Sequence, residues 1–234
     1  MGIEWMTIAT GSTGNCYLLS NGKSKLLLEA GIRFRHIREK TGFALSDIDG
    51  CLVTHSHGDH AKGIKELVRA GVNVYSAQET FDAMGATGHR CVPIEARKQV
   101  MVGAWTVMPF ETVHDTPGSL GFIIASGRYK LLFITDTAYI KPTVPGLTHM
   151  VVEANFSEKI IRRRMADGEL HPARVDRLRK THMSIERLLE LLAANDLSRV
   201  VWIRLVHLSN ENSDEAMFRD MVQRATGKPV YIEG

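Results

Sequence analysis

Short apolar runs separated by glycine-rich and polar breaks fill most of this chain, a pattern typical of β-strands joined by tight turns. Asn21-Gly22, between two such runs, is a two-residue hairpin signal. Strong regular alternation of strands and helices is missing, which argues against a doubly wound parallel sheet. The runs predict strands at 6–9, 16–19, 25–28, 50–54, 72–75, 105–109, 121–125, 131–135, 150–153 and 200–205.

Helical spacing is found between these strands. Ile64, Leu67 and Val68 predict a helix that stops near Gly71. Two later helices have N-cap candidates, which are Ser184 for the first and Ser213 or Asp214 for the second. Their apolar stripes are Ile185, Leu188, Leu189 and Leu192, and Met217, Phe218, Met221 and Val222. Together the elements predict an α/β fold with two packed sheets and helices on the outside.

Composition narrows the class of protein. The chain has 234 residues, of which 44% are apolar, and this suits one large domain over residues 1–234. No apolar run reaches the roughly 20 residues of a membrane span, and residues 1–5 do not resemble a leader peptide. The three cysteines are far apart, so a thiolate zinc site is not expected. Unpaired cysteines of this kind predict a reducing, cytoplasmic location. The net charge of +3 alone says little about partners.

The segment Thr54-His55-Ser56-His57-Gly58-Asp59-His60 concentrates four potential metal ligands directly after an apolar strand. Imidazole and carboxylate together suit zinc, manganese or iron. His55 and His57 alternate and can point to one side, whereas the adjacent Asp59 and His60 diverge, which two metals explain better than one. A histidine-rich polar turn without ligands is the alternative.

This segment resembles the His-x-His-x-Asp-His signature of metallo-β-lactamase-fold metallohydrolases. The turn at residues 11–16 is similar to an early Gly-Ser-x-Gly-Asn turn of that family. The strand end at residues 27–31 is similar to its Asp-x-Gly motif, with Glu29 in place of the aspartate. The resemblance implies a four-layer αββα sandwich with two mixed β-sheets and outer helices.

The resemblance also implies three further ligands, each where a strand gives way to a loop: His114, Asp136 and His207. Taken singly, each could be an ordinary polar strand end. The family pattern implies two divalent ions, Zn or Mn, with a bridging hydroxide as nucleophile. The implied ligands are His55, His57 and His114 for one ion, Asp59, His60 and His207 for the other, and Asp136 as the bridge.

Two later segments are similar to tRNase Z. Glu153 lies in a Glu-Ala-Asn-Phe segment, and His182 lies in Thr-His-Met-Ser. The resemblance makes His182 the general acid for a poor alkoxide leaving group and makes Glu153 the residue that orients it and raises its pKa. Asp59 completes the expected catalytic set. The alternative is a solvent-facing histidine and a strand-end carboxylate.

The motif combination most closely resembles the small YycJ-type exonuclease-like branch, with Thr-Asp-x-x-Tyr at 135–139 and His-Leu-Ser-x-Glu-Asn at 207–212. Residues 158–180 contain eight basic and four acidic side chains, a charge that suits a phosphate substrate or simply a solvated helix face. The leading hypothesis is a dinuclear phosphodiesterase or nuclease acting on nucleic acid.

Three alternatives are a cyclic-nucleotide phosphodiesterase, a thioesterase or lactonase of the glyoxalase II type, and a non-catalytic metal-stabilised binding module. No membrane partner is expected. The sequence leaves open a homodimer, the choice of DNA or RNA, and the choice of exo- or endonuclease action.

Overall fold

The computed structural model describes residues 2–140 and 143–233. The chain divides into two compact units. The first comprises the residues up to Glu111 together with Thr116–Arg128, and the second comprises Thr112–Asp115 and the residues from Tyr129 onward. The prediction of a single domain over residues 1–234 stays a prediction.

Within its described residues, the first unit contains nine strands and four helices. Its strands are β1 (Glu4–Ala9), β2 (Cys16–Ser20), β3 (Lys25–Leu28), β4 (Gly50–Leu52), β5 (Val74–Ser76), β6 (Cys91–Pro93), β7 (Val100–Val102), β8 (Trp105–Glu111) and β9 (Leu120–Ser126). Its helices are α1 (Phe34–Lys40), α2 (Gly58–Ala61), α3 (Ile64–Arg69) and α4 (Gln78–Met84), and a short 3-10 turn covers Leu45–Asp47.

Strands β1 to β6 of the first unit form one mixed sheet in chain order. The pairs β1–β2 and β2–β3 are antiparallel, and the following pairs up to β6 are parallel. Strands β7, β8 and β9 pair antiparallel. A core that includes Cys51, Ile64, Leu67 and Phe81 packs α3 and α4 near this sheet, which fixes the loops at its strand ends.

In the part of the second unit that the structure describes there are four strands and four helices. They are β10 (Tyr129–Ile134), β11 (His149–Glu153), α5 (Glu158–Ala166), α6 (Pro172–Thr181), α7 (Ile185–Ala193), β12 (Trp202–Val206), α8 (Glu215–Thr226) and β13 (Val230–Ile232). Its strands pair in parallel in chain order. Every residue of β11 is buried, as expected for a strand covered on both faces. Glu153 therefore enters the interior at the end of a buried strand.

All ten predicted strands are confirmed, and their observed ends differ from the predicted ends by no more than two residues. The sequence did not reveal β6, β7 and β13, which have only three residues each, nor α1, α4, α5 and α6. Helices α5 and α6 bury so few apolar residues that their charged surface hides the helical period. In α7 the predicted stripe needs one correction, because Leu191 is buried and Leu189 only partly so.

Within the described residues, none of the helices combines the length and the apolar character that crossing a membrane requires.

Candidate metal centre and acid pair

The histidine motif of the first unit leaves β4 and turns directly into α2, so its four side chains converge. His55 is fully buried, and its Nε2 lies 3.1 Å from Nδ1 of His57. Nε2 of His60 lies 3.3 Å from a carboxylate oxygen of Asp59. Two nitrogen ligands of one tetrahedral zinc, each at about 2.0–2.1 Å, would be about 3.3 Å apart. The measured spacing fits that donor arrangement.

A buried carboxylate holds this motif from behind. Glu29 accepts hydrogen bonds from the Thr54 backbone nitrogen and the Thr54 hydroxyl, at 3.2 and 2.7 Å. Since that hydroxyl gives its proton to Glu29, it accepts from Nδ1 of His55 at 2.9 Å. Nδ1 of His60 lies 3.4 Å from the same carboxylate. Glu29 thus orients the His55 imidazole through Thr54 and lies beside the His60 ring, and outer carboxylates support metal-ligating histidines in this way.

Two other loops of the first unit attach to the motif through backbone bonds. Asn15 donates its backbone N–H to the Asp59 carbonyl at 2.7 Å, and Ala30 donates to the His60 carbonyl at 2.8 Å. A Cβ at Gly31 would lie 1.6 Å from the Asp59 carbonyl oxygen, so only glycine fits there. The early glycine-rich turn and the Glu29 segment therefore support the motif.

In the second unit His114 is almost fully buried and donates its Nδ1 proton to the Thr181 carbonyl at 2.9 Å. Its Nε2 lies 3.9 Å from Asp136. Burial, only partly offset by the Asp136 charge, lowers the pKa of His114 below its usual value. A neutral imidazole whose other N–H is held by a carbonyl is the form that binds metal.

A second cluster of donors surrounds the ends of β10, β11 and β12. Nδ1 of His207 lies 3.0 Å from a carboxylate oxygen of Asp136 and 3.1 Å from Glu153. The His182 ring stacks on the His207 ring with centroids 5.4 Å apart. One ligand atom from each of Asp136, Glu153, His182 and His207 lies within 4.8 Å of all the others, so this group could also hold an ion.

The shortest contact of this cluster joins Glu153 and His182. The His182 Nδ1 proton points to Glu153 Oε1 at 2.6 Å, and Glu153 itself is fully buried. The other oxygen of Glu153 accepts the backbone N–H groups of Thr137 and Met183, at 3.1 and 3.0 Å. The carboxylate is therefore fully bonded and cannot rotate away from His182.

Charge coupling sets the protonation of this pair. Burial disfavours the imidazolium form of His182, but the adjacent Glu153 carboxylate outweighs burial and raises the pKa of His182 above its usual value. Burial likewise opposes ionisation of Glu153, yet His182 and His207 lower its pKa. Both shifts favour the imidazolium–carboxylate form of the pair, and the histidine side chain is 19% exposed and can reach a substrate.

Three of the supporting or candidate ligand positions have left-handed backbone. Glu29, Asp136 and His207 have φ values of 65°, 49° and 56°, and each follows a strand within two residues. Such conformations cost about 1–3 kcal/mol each for non-glycine residues and concentrate at functional sites. At each of these three positions the backbone therefore leaves the extended conformation of the strand directly before it or two residues before it.

The basic segment is largely neutralised by acidic neighbours. Arg179 forms a two-bond ion pair with Glu158, and Arg177 pairs with Asp115 at 3.0 Å. Arg164 contacts Glu211 at 3.2 Å. The charge of residues 158–180 is thus less available to a substrate than the sequence predicted.

Sequence reasoning missed the supporting roles of Thr54, Asp115 and Asn155. Asn155 donates its side-chain amide to the His207 carbonyl at 2.9 Å, and Asp115 lies 3.3 Å from Nε2 of His114. Each of the three is within two residues of a predicted ligand or acid-pair residue. This proximity in sequence is the signal from which their supporting roles could be predicted.

This fold and these donor clusters define a metal-dependent hydrolase of the metallo-β-lactamase fold. The chain belongs to the beta-lactamase superfamily, since a family model described as Beta-lactamase superfamily domain matches residues 25–204. The predicted fold class, α/β with two mixed sheets flanked by helices, is confirmed.

Relatives agree with the predicted branch. The chain is 26% identical to Exodeoxyribonuclease WalJ of Streptococcus pneumoniae, covering 99% of this chain and 81% of the relative. It is 28% identical to Exodeoxyribonuclease YycJ of Bacillus anthracis, and the alignment covers 69% of this chain and 66% of that relative.

Solved structures support the fold. The metallo-beta-lactamase fold protein YhfI of Bacillus subtilis aligns with a TM-score of 0.76 at 16% identity, covering 100% of this chain and 97% of that one. The short form of human tRNase Z aligns with a TM-score of 0.59 at 13% identity, covering 88% and 93%.

Proposed function

We propose that this protein is a metal-dependent phosphodiesterase that degrades DNA as an exonuclease, with His182 as general acid. The observation that carries the proposal is the Glu153–His182 contact of 2.6 Å at the ends of β11 and α6. Two relatives named as exodeoxyribonucleases support DNA as the substrate and exonuclease action.

The donor chemistry fits divalent metals such as zinc or manganese, because it consists of imidazoles and carboxylates without thiolates. In this proposal His55, His57 and His114 would hold one ion, Asp59, His60 and His207 would hold a second, and Asp136 would serve both. When bound, two such ions supply an activated water as nucleophile and polarise the scissile phosphate.

The acid pair supplies what a DNA phosphodiester additionally needs. The sugar alkoxide is a poor leaving group, so a proton must reach its oxygen as the P–O bond breaks. With Nδ1 of His182 bound to Glu153, the proton for transfer is on Nε2. The Glu153 charge keeps His182 protonated until transfer and stabilises its orientation.

Leaving-group dependence tests the acid assignment. His182→Ala should lower cleavage of a DNA oligonucleotide by about 10²–10⁴-fold but that of bis(p-nitrophenyl) phosphate by less than about tenfold, since nitrophenolate leaves without a proton. His89→Ala, an exposed histidine of the first unit, is the matched control. Equal losses with both substrates would remove His182 from the acid role.

Metal stoichiometry tests the ligand assignment without relying on activity. We expect about two equivalents of zinc or manganese in the wild type, and fewer in both His57→Ala and His207→Ala, by elemental analysis after dialysis. His89→Ala should keep the wild-type content. Full metal content in either ligand variant would contradict the assignment.

A substrate panel separates the remaining activities. The acid pair would serve a cyclic nucleotide as well as a DNA strand, so both are included with RNA and a thioester. Hydrolysis of cyclic nucleotides with no cleavage of any nucleic acid would replace the proposal by a cyclic-nucleotide phosphodiesterase. Thioester hydrolysis that His182→Ala leaves unchanged would favour an enzyme of the glyoxalase II type.

We also propose a cytoplasmic location. Cys16, Cys51 and Cys91 are free thiols, and the first two are buried, which suits a reducing compartment. Localisation of a tagged chain by cell fractionation checks this assignment, and size-exclusion chromatography with light scattering decides between a monomer and a homodimer.

A further inference from the structure

A cavity of about 350 Å³ in the second unit is next to the acid pair in sequence and has no role in the chemistry described above. Its walls include Tyr139, Ile140, Met183, Arg187, Glu190 and Leu191. The volume lies at the lower end of the range for small-molecule sites, about 300–1,000 Å³. It suits one aromatic heterocycle with its sugar better than a longer segment of polymer.

Two walls of this cavity are fixed to the same carboxylate that orients His182. Glu153 Oε2 accepts from the backbone nitrogens of Thr137 and Met183 at 3.1 and 3.0 Å. The Thr137 hydroxyl donates to the Tyr139 carbonyl at 2.9 Å. Tyr139 and Met183 are therefore held in register with the acid through Glu153, so a ligand in the cavity would be positioned relative to His182.

The side chains that line the cavity combine four kinds of recognition chemistry. Tyr139 is a large aromatic that stays 43% exposed. One terminal nitrogen of Arg187 donates to the carbonyls of Ala138 and Arg179, at 3.0 and 3.1 Å, which holds the planar guanidinium in place. Ile140 and Leu191 add apolar surface. Aromatic stacking, a fixed guanidinium and apolar cover match a base joined to a phosphate, and the Glu190 carboxylate of the same wall suits an amino group of the base rather than the phosphate.

We propose that this cavity binds one nucleobase of the substrate strand beside the scissile phosphodiester, with Tyr139 stacking on the base and Arg187 facing a phosphate. The inference rests on the proposed nuclease function and assigns it a base-binding subsite. Stacking recognises every base, so the subsite contributes affinity and register with little sequence preference.

Calorimetry with a nucleoside monophosphate, which has no phosphodiester bond to cleave, tests the subsite without catalysis. Deoxyadenosine 5′-monophosphate should bind about tenfold or more tightly than 2-deoxyribose 5-phosphate, which lacks the base. Tyr139→Ala should remove that difference, and Tyr139→Phe should retain it. Tyr231→Ala is the matched control, because Tyr231 is similarly exposed at 47% and lies on β13. Equal binding of the two ligands, or no effect of Tyr139→Ala, would overturn the subsite.

Kinetics separate the subsite from the proposed function. Wild-type protein should cleave an oligonucleotide with an intact base next to the scissile bond about tenfold more efficiently than one with an abasic site there, and Tyr139→Ala should abolish this preference. If DNA is not cleaved but the calorimetric difference is found, the base site stands and the nuclease proposal fails. If DNA is cleaved without either difference, the nuclease proposal stands and the subsite fails.

Discussion

At the residue scale, one buried carboxylate organises the second unit's share of the chemistry. Glu153 receives His182 and His207 on one oxygen and the backbone of Thr137 and Met183 on the other. No solvent reaches it, so its charge depends on such partners within the protein. The same residue therefore orients the acid, raises the pKa of that acid and fixes two walls of the neighbouring cavity.

Glu153→Gln tests the charge while preserving the size of the side chain. The carboxylate raises the pKa of His182, so its removal should lower that pKa. A general acid works only while protonated, and activity falls as pH rises through its pKa. The alkaline limb of the kcat profile for DNA should therefore move to lower pH. Glu169 is an exposed carboxylate of the same unit, and the control variant Glu169→Gln should leave the alkaline limb in place. An unchanged limb in Glu153→Gln would show that the Glu153 charge does not raise the pKa of His182.

At the element scale, β11 begins with a buried histidine outside the site. His149 stands opposite Trp202 in the β11–β12 register, and their rings meet edge to face at 4.5 Å. Nδ1 of His149 lies 2.8 Å from the Thr148 hydroxyl. Burial, with a further contribution from the Arg204 charge, lowers the pKa of His149 to about 4. The strand pair therefore needs this imidazole neutral.

Acid should destabilise the fold through His149. The unfolded chain has the ordinary histidine pKa near 6.5, so the folded state binds fewer protons. Its stability contribution is complete above about pH 6.5 and is lost as pH falls toward 4, by at most about 3 kcal/mol. Urea unfolding of metal-free wild type and His149→Phe should show a difference that changes over this range. A pH-independent difference would contradict the assignment.

The N-cap of α8 is a second element-scale test. The sequence left Ser213 and Asp214 as alternatives, and the structure places Asp214 at the cap, where its side chain accepts from the Met217 nitrogen at 2.9 Å. Asp214→Ala should lower the free energy of unfolding by about 1 kcal/mol. Asp214→Asn retains a side-chain oxygen that can accept the hydrogen bond from the Met217 nitrogen, so it should lower the free energy of unfolding much less. Equal losses in urea unfolding would show that the cap bond is not the source.

Elements were predictable where hydrophobic period and cap chemistry agree. Ser184 was predicted as the cap of α7 and does accept from the Arg187 nitrogen. Helices α5 and α6 were missed because their few buried residues, Ile161 and Val175 among them, pack locally with Phe156 and Leu170 under a charged surface. Local packing of that kind leaves little periodic signal in a sequence.

At the scale of the whole molecule, ion pairing reduces the predicted electrostatic attraction for a phosphate backbone. Among the residues that the structure describes, Lys159, Arg162 and Lys180 of the basic segment are exposed and form no ion pair. These three cations are the ones most able to contact phosphates without breaking an existing pair.

Removing both lysines should reduce the salt dependence of DNA cleavage. Each phosphate contact on single-stranded nucleic acid contributes about 0.7 to the slope of log affinity against log salt. Lys159→Ala with Lys180→Ala should therefore lower the slope by about 1.4, measured as kcat/KM between 50 and 200 mM salt. The double variant of Lys23 and Lys40, two exposed lysines of the first unit, is the control. An unchanged slope would exclude these lysines as phosphate contacts.

The sequence by itself determined the strand framework, the metal-dependent class and the candidate ligands, because strand period and dense donor motifs are local properties. Tertiary structure decided what surrounds them. The four donors to Glu153 and the ion pair between Arg177 and Asp115 join residues far apart in the chain. Such long-range contacts set pKa values and orientations, and no local pattern encodes them.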